Sequence, residues 1–179
     1  HLVLIIPLAL GSVLVPFTGQ NWGAGHKTRV RQALETAFVI VTIWGILSWT
    51  CLASFRSQLA SLFSDDPEIV ATMTFYLALV PLSHASLGIC HQLSMFFNAI
   101  KKPLSSTALN GIRLFIITLL PAMLGSWLAG LEGLLAGLAG GQFLSGPFAL
   151  FWYWKIRRSV LQENGSERLN ATESMEMTG

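Results

Sequence analysis

Five long apolar stretches alternate with short polar connectors along this chain. They run from about 2 to 22, 33 to 54, 69 to 97, 104 to 128 and 133 to 154. Each approaches or exceeds the ~20 residues that a helix rising ~1.5 Å per residue needs to cross ~30 Å of hydrocarbon. None shows the period-two alternation of a half-buried strand, and all are too long for one. In lipid the backbone must satisfy its own hydrogen bonds, so the pattern predicts helices. The expected fold class is all-α, a polytopic transmembrane helical bundle of five spans over residues 1–155. From about 156 to 179 the chain turns polar, and from Gln162 it holds no aromatic residue; this predicts a disordered tail. The chain starts at His1 inside an apolar run, without a basic flank, so it reads as a piece of a longer protein and not as a signal peptide.

The charges sit in the connectors. Lys27, Arg29 and Arg31 follow the first span, Lys101 and Lys102 the third, and Lys155, Arg157 and Arg158 the fifth. The opposite connectors hold Arg56, Asp65, Asp66 and Glu132. Such a bias places the basic ends in the cytoplasm, together with the C-terminus. Composition sharpens this picture. Of 179 residues, 53% are hydrophobic and 11% charged, against about 25% charged in a soluble domain. A net charge of +2 leaves no excess for a nucleic-acid partner. Cys51 and Cys90 fall near opposite faces of the bilayer and read as small packing residues, not as a disulfide.

A polar group inside a span costs free energy unless it is paired. Arg113 lies in the cytoplasmic third of the fourth span, either as a packing residue bonded to nearby carbonyls or as a gating residue. The third span is the most polar, with Tyr76, Ser83, His84, Ser86, His91, Gln92 and Ser94. His84 and His91 share a face but lie ~10.5 Å apart along the axis, too far to ligate one zinc. They read as interhelical hydrogen-bonding groups or as a titratable pair. No carboxylate lies deep in a span, and Glu35, four residues after Arg31, predicts a local ion pair. Asp66 followed by Pro67 predicts the start of the third span. No catalytic Ser/His/carboxylate set and no metal site is discernible, so no enzyme activity is expected.

Pro7, Pro16, Pro81, Pro121 and Pro147 fall inside spans, where each removes an i to i−4 bond and bends the helix. Bent spans suit a bundle that curves around a cavity. Gly133, Gly137 and Gly141 recur every four residues and predict a close helix–helix approach.

The segment Pro16-Phe17-Thr18-Gly19-Gln20-Asn21-Trp22-Gly23-Ala24-Gly25, with Arg29 after it, resembles the multidrug and toxic compound extrusion (MATE) family. Further matches follow in order: Leu62-Phe63 with Asp65-Asp66-Pro67-Glu68, Tyr76-Leu77 with Pro81, Phe97-Asn98-Ala99 with Lys101-Lys102-Pro103, then Arg113 and Pro121. They cover about residues 1–155. The resemblance implies five spans, the eighth to twelfth, of a twelve-span, two-lobe transporter whose N-terminal lobe is absent from this chain. It implies export of drugs or organic cations by antiport with Na⁺ or H⁺, through alternating access in the plasma (inner) membrane. Membrane lipid and the N-terminal lobe are then the partners, with no cofactor beyond the coupling ion. Phe75, Tyr76, His84 and Gln92 become candidates to line the substrate cavity, and Gln20, Asn21 and Arg113 candidate gate or structural residues. Some members carry an acidic coupling residue in the tenth span; here residues 69–97 contain neither Asp nor Glu. Alternative readings are a lipid-linked oligosaccharide flippase of the same superfamily and a non-transporting membrane subunit.

Overall fold

In a computed structural model, the backbone is described from Leu2 to Glu176 and side chains from 3 to 157. The chain divides into two units, 1–149 and 150–179; the bundle and every contact below belong to the first. A short 3₁₀ turn (Leu2–Leu4) leads into α1 (Ile5–Gly23), followed by α2 (Lys27–Ser54), the short α3 (Arg56–Ser61) and α4 (Pro67–Ala99). Then come α5 (Pro103–Gly111), a π-helical stretch (Ile112–Leu119) and α6 (Leu120–Glu176). No strand occurs among the described residues.

Three of these helical stretches are long and apolar enough to cross a membrane: Lys27–Ser54, Pro67–Ala99 and Pro103–Arg157. The last is 55 residues long and reverses at Ala129 and Gly130. Gly130 takes φ +59 and ψ −134, a conformation open to glycine and strained for any residue with a Cβ. The two limbs then lie against each other along a row of small residues. A Cβ built at Gly133 would meet the Gly125 carbonyl, one at Gly137 the Pro121 carbonyl, and one at Gly141 the Ile117 carbonyl. The four-residue glycine repeat therefore sets the spacing of this hairpin. With α1, whose 19 residues end in the polar Gln20-Asn21-Trp22, the chain presents five limbs.

The helix ends follow local chemistry. Asp66 caps α4, its side chain accepting from the Glu68 amide at 2.9 Å, with Pro67 in the first turn. At the other end of α4, Lys101 adopts φ 60, and the Lys101 and Lys102 amides donate back to the Asn98 and Phe97 carbonyls, so the chain closes the helix in a left-handed turn without glycine. Arg31 and Glu35 form the expected ion pair at 3.7 Å on the surface of α2. One boundary departs from the expectation: α2 starts at Lys27, six residues before its apolar stretch, because the basic connector is itself helical. The disordered tail expected over 156–179 lies, beyond 157, outside the residues whose side chains are described.

Side chains of neighbouring helices bond to backbone carbonyls around two of the prolines. Pro7 has no N–H to bond the Val3 carbonyl, and the Trp44 indole of α2 donates to that oxygen at 2.8 Å. Trp49 ties α2 to α4, donating to the Ala78 carbonyl at 2.8 Å three residues ahead of Pro81. Gln92 donates its amide to the Pro7 carbonyl at 2.7 Å. Between the helices the interior mixes Leu34, Val41, Leu93, Phe97 and Leu109 with Thr18, Ser83, Ser86, Ser94 and Ser145. Small polar residues of this kind hold helices together where lipid removes the hydrophobic drive between them. The outside is apolar: Val13, Val39, Leu47, Phe115 and Leu128 are exposed, and Trp127 is 84% exposed. A surface of that kind matches hydrocarbon and would aggregate in water.

Candidate functional site

One group of polar side chains lies where α1, α4, α5 and the start of the π-helical stretch meet. A cleft of about 230 Å³ opens there, lined by Pro7, His91, Ser94, Met95, Asn110 and Arg113 among others. Its floor is pinned by a short network. Ser94 and Ser106 share a hydroxyl hydrogen bond of 2.6 Å, and Asn110 Nδ2 donates to Ser94 Oγ at 2.8 Å and to the Ser106 carbonyl at 3.0 Å. Arg113 follows one turn later, at the start of Ile112–Leu119. Pro121 has no N–H to close a turn on Ile117, and the backbone ahead of it takes the wider π geometry. His91 enters from α4 because Gly11 leaves it room: a Cβ at Gly11 would lie 2.7 Å from His91 Cε1 and 3.2 Å from Nδ1.

Two buried nitrogens in this cleft, Arg113 Nε and His91 Nδ1, have no hydrogen-bond partner. No carboxylate lines it. The guanidinium offers five donors in a planar fork, and imidazole can add one, so the cleft is arranged to receive an acceptor group and not a cation. Two further clefts are less polar. One of about 360 Å³ lies between α1 and α2, beside Phe17, Arg29, Gln32 and Thr36. Another, of about 560 Å³, has apolar walls from Ile5, Ile6, Trp44 and Leu47.

The residues expected from the sequence are dispersed. Phe75 and Tyr76 are exposed near the acidic end of α4. His84 Nδ1 lies 3.0 Å from the Val80 carbonyl of its own helix. Gln92 is fully buried against α1 and supports the backbone near Pro7. None of the three clefts is lined by these four residues. Gln20 is exposed at the end of α1, and Asn21 Nδ2 donates to the Phe17 carbonyl at 2.9 Å. Of the seven, Arg113 lines one of these three clefts. Sequence reasoning missed Asn110 and Ser94 as its neighbours. The signal was present in Ser106 and Asn110, spaced four apart on the helix that brings Arg113 in. No cluster of three or more His, Cys, Asp or Glu able to hold a metal occurs among the described residues.

Helices long and apolar enough to cross a membrane, packed around a cleft that bears polar side chains, are the build of a polytopic membrane protein. The comparisons with known proteins specify which kind. The MatE family model matches residues 1–124, and the chain belongs to that family of transporters. It is similar to an FAD transporter of Shewanella oneidensis, with 38% identity over 144 residues covering 80% of this chain and 32% of the relative. It is also similar to the multidrug resistance protein PmpM of Pseudomonas aeruginosa, with 26% identity over 130 residues covering 73% of this chain and 25% of that protein. Among solved structures, the Vibrio cholerae MATE transporter VcmN in its bent form superposes with a TM-score of 0.82 at 30% identity, over 89% of this chain and 36% of VcmN. A mutant of the same transporter gives 0.84. The chain thus spans about a third or less of the length of the relatives it matches.

Proposed function

We propose that this chain is the C-terminal lobe of an exporter that moves organic solutes across the plasma (inner) membrane, coupled to entry of Na⁺ or H⁺. The mechanism is alternating access: two lobes rock about a site near the midplane, and each lobe contributes half of its wall. The observation that carries this reading is a cleft bearing Arg113, His91 and Asn110 inside a helical bundle of the MatE family. The N-terminal lobe, membrane lipid and the solute are its partners, and its C-terminus lies in the cytoplasm, where the basic connectors point. Residues 69–97 hold no carboxylate; either the coupling ion is bound outside this chain or this branch of the family couples differently.

The multidrug reading draws support from PmpM and from the exposed aromatic pair Phe75 and Tyr76, which suit a cationic aromatic drug. A second reading, export of a flavin dinucleotide, is favoured by the higher identity with the FAD transporter and by the cationic character of the cleft. Expression of the full-length protein in efflux-deficient bacteria tests both. Active export lowers cellular ethidium or raises extracellular FAD, and collapse of the Na⁺ or proton gradient abolishes the effect. Unchanged levels of every solute in the panel, with the protein present in the membrane, would refute export.

A further inference from the structure

The cleft beside Arg113 asks for a ligand of definite charge. Arg113 Nε and His91 Nδ1 are buried and unpartnered, and no carboxylate stands among the residues that line the cleft. Charged residues within the spans of membrane proteins mark solute or ion paths, and Arg113 is half-buried with its Nε shielded from solvent. The surroundings do not neutralise it. Pro7, Leu8, Leu87, Gly88 and Met95 are apolar neighbours, and Asn110 commits an amide hydrogen to both Ser94 Oγ and the Ser106 carbonyl.

The arrangement is also positioned with some care. The Ser94–Ser106–Asn110 network fixes the helix one turn before Arg113. The π-helical stretch begins at Ile112, a geometry that recurs at functional sites. Gly11 provides the gap that the His91 ring occupies.

We propose that this cleft is an anion subsite, in which Arg113 and His91 seat a phosphate or carboxylate group of the transported solute. The proposal rests on the reading of the chain as an exporter lobe and narrows its cargo to organic anions. At about 230 Å³ the cleft is below the usual range of a full ligand pocket, about 300–1,000 Å³. It therefore holds the charged group alone, and the remainder of the solute lies outside it. Guanidinium binds phosphate or carboxylate oxygens through two parallel N–H···O bonds, and lysine cannot reproduce that fork. An organic cation would meet like charge here. A flavin dinucleotide, the cargo named for one relative, carries the required group in its pyrophosphate.

The test is a binding titration on the purified full-length transporter in detergent, with FAD, riboflavin (the same ring system without phosphate) and inorganic pyrophosphate as competitor. The expected result is that R113Q weakens FAD binding about tenfold, the scale of losing one charge-assisted pair. R113K recovers only part of the loss, riboflavin binding is unchanged, and pyrophosphate displaces FAD from the wild type alone. Retained monodispersity of R113K guards against a folding artefact in R113Q. Equal FAD affinity in wild type, R113Q and R113K overturns the proposal, as does a wild type that binds neither FAD nor pyrophosphate. The same titration in nanodiscs with and without phosphatidylglycerol separates cargo from lipid. If phosphatidylglycerol displaces FAD and pyrophosphate does not, the site belongs to a lipid headgroup and the proposal fails. Arg113-dependent FAD binding without any export from cells would defeat the transport reading and leave the anion site standing.

Discussion

Gly141→Leu in the full-length transporter is expected to abolish the folded protein. In the hairpin that reverses at Gly130, the backbone at Gly141 rests against the Ile117 carbonyl and near Thr118. The obstacle is main chain on the facing limb, which cannot swing aside as a side chain does. A leucine must therefore part the two limbs, and the loss spreads to Gly137 and Gly133, which hold the same face. Overpacking of a tight contact costs about 1–3 kcal/mol and more where the backbone is the obstacle. Size-exclusion chromatography of a fluorescent fusion in detergent reads the outcome: the monodisperse peak is lost for Gly141→Leu and kept for Gly140→Leu, since a Cβ at Gly140 meets nothing within 4 Å. Equal peaks for the two variants would show that the hairpin is not packed through its glycines.

The second large effect concerns α2 and α4. A Cβ at Gly45 would lie 2.6 Å from the Ala85 Cβ and 2.7 Å from its Cα, so Gly45→Ala alone forces the helices apart where Trp44 and Trp49 reach across to Val3 and Ala78. A loss of about 1–3 kcal/mol is expected, read as a lower apparent melting temperature in detergent. Adding Ala85→Gly removes only the methyl contact, and the Ala85 Cα and N at 2.7 and 2.9 Å remain in the way, so it is expected to return only part of the loss. Contacting residues couple in this way, whereas distant ones add independently. Strict additivity of the two substitutions would contradict the contact.

Much of this architecture was readable from the chain because its causes are local. Apolar length sets the limbs, Asp66-Pro67 starts α4, the Arg31–Glu35 spacing forms an ion pair, and the glycine repeat of 133, 137 and 141 spaces the hairpin. The π-helical stretch escaped notice because it reflects a carbonyl left unbonded by Pro121, several residues further on, and no periodicity records that. The site was less legible still. Burial sorts polar residues that look equivalent on paper. Gln92 turned inward to hold the backbone near Pro7, and His84 faced its own helix's Val80 carbonyl. His91, seven residues from His84, reached the cleft because Gly11 on another helix made room. Arg113 stood out in sequence for its cost in lipid, but its meaning came from its neighbours, none of which carries a negative charge.

The account depends on limbs that cross the bilayer alternately, with the basic connectors on one side. Single cysteines at Lys102→Cys and Glu132→Cys, in a cysteine-free background of the full-length protein, test this with a membrane-impermeant maleimide on intact cells. The two positions stand at opposite ends of the limb between the α4–α5 connector and the reversal at Gly130. The account predicts labelling of Glu132→Cys in intact cells and of Lys102→Cys only after the membrane is permeabilised. Labelling of both in intact cells, or of Lys102→Cys alone, would contradict it.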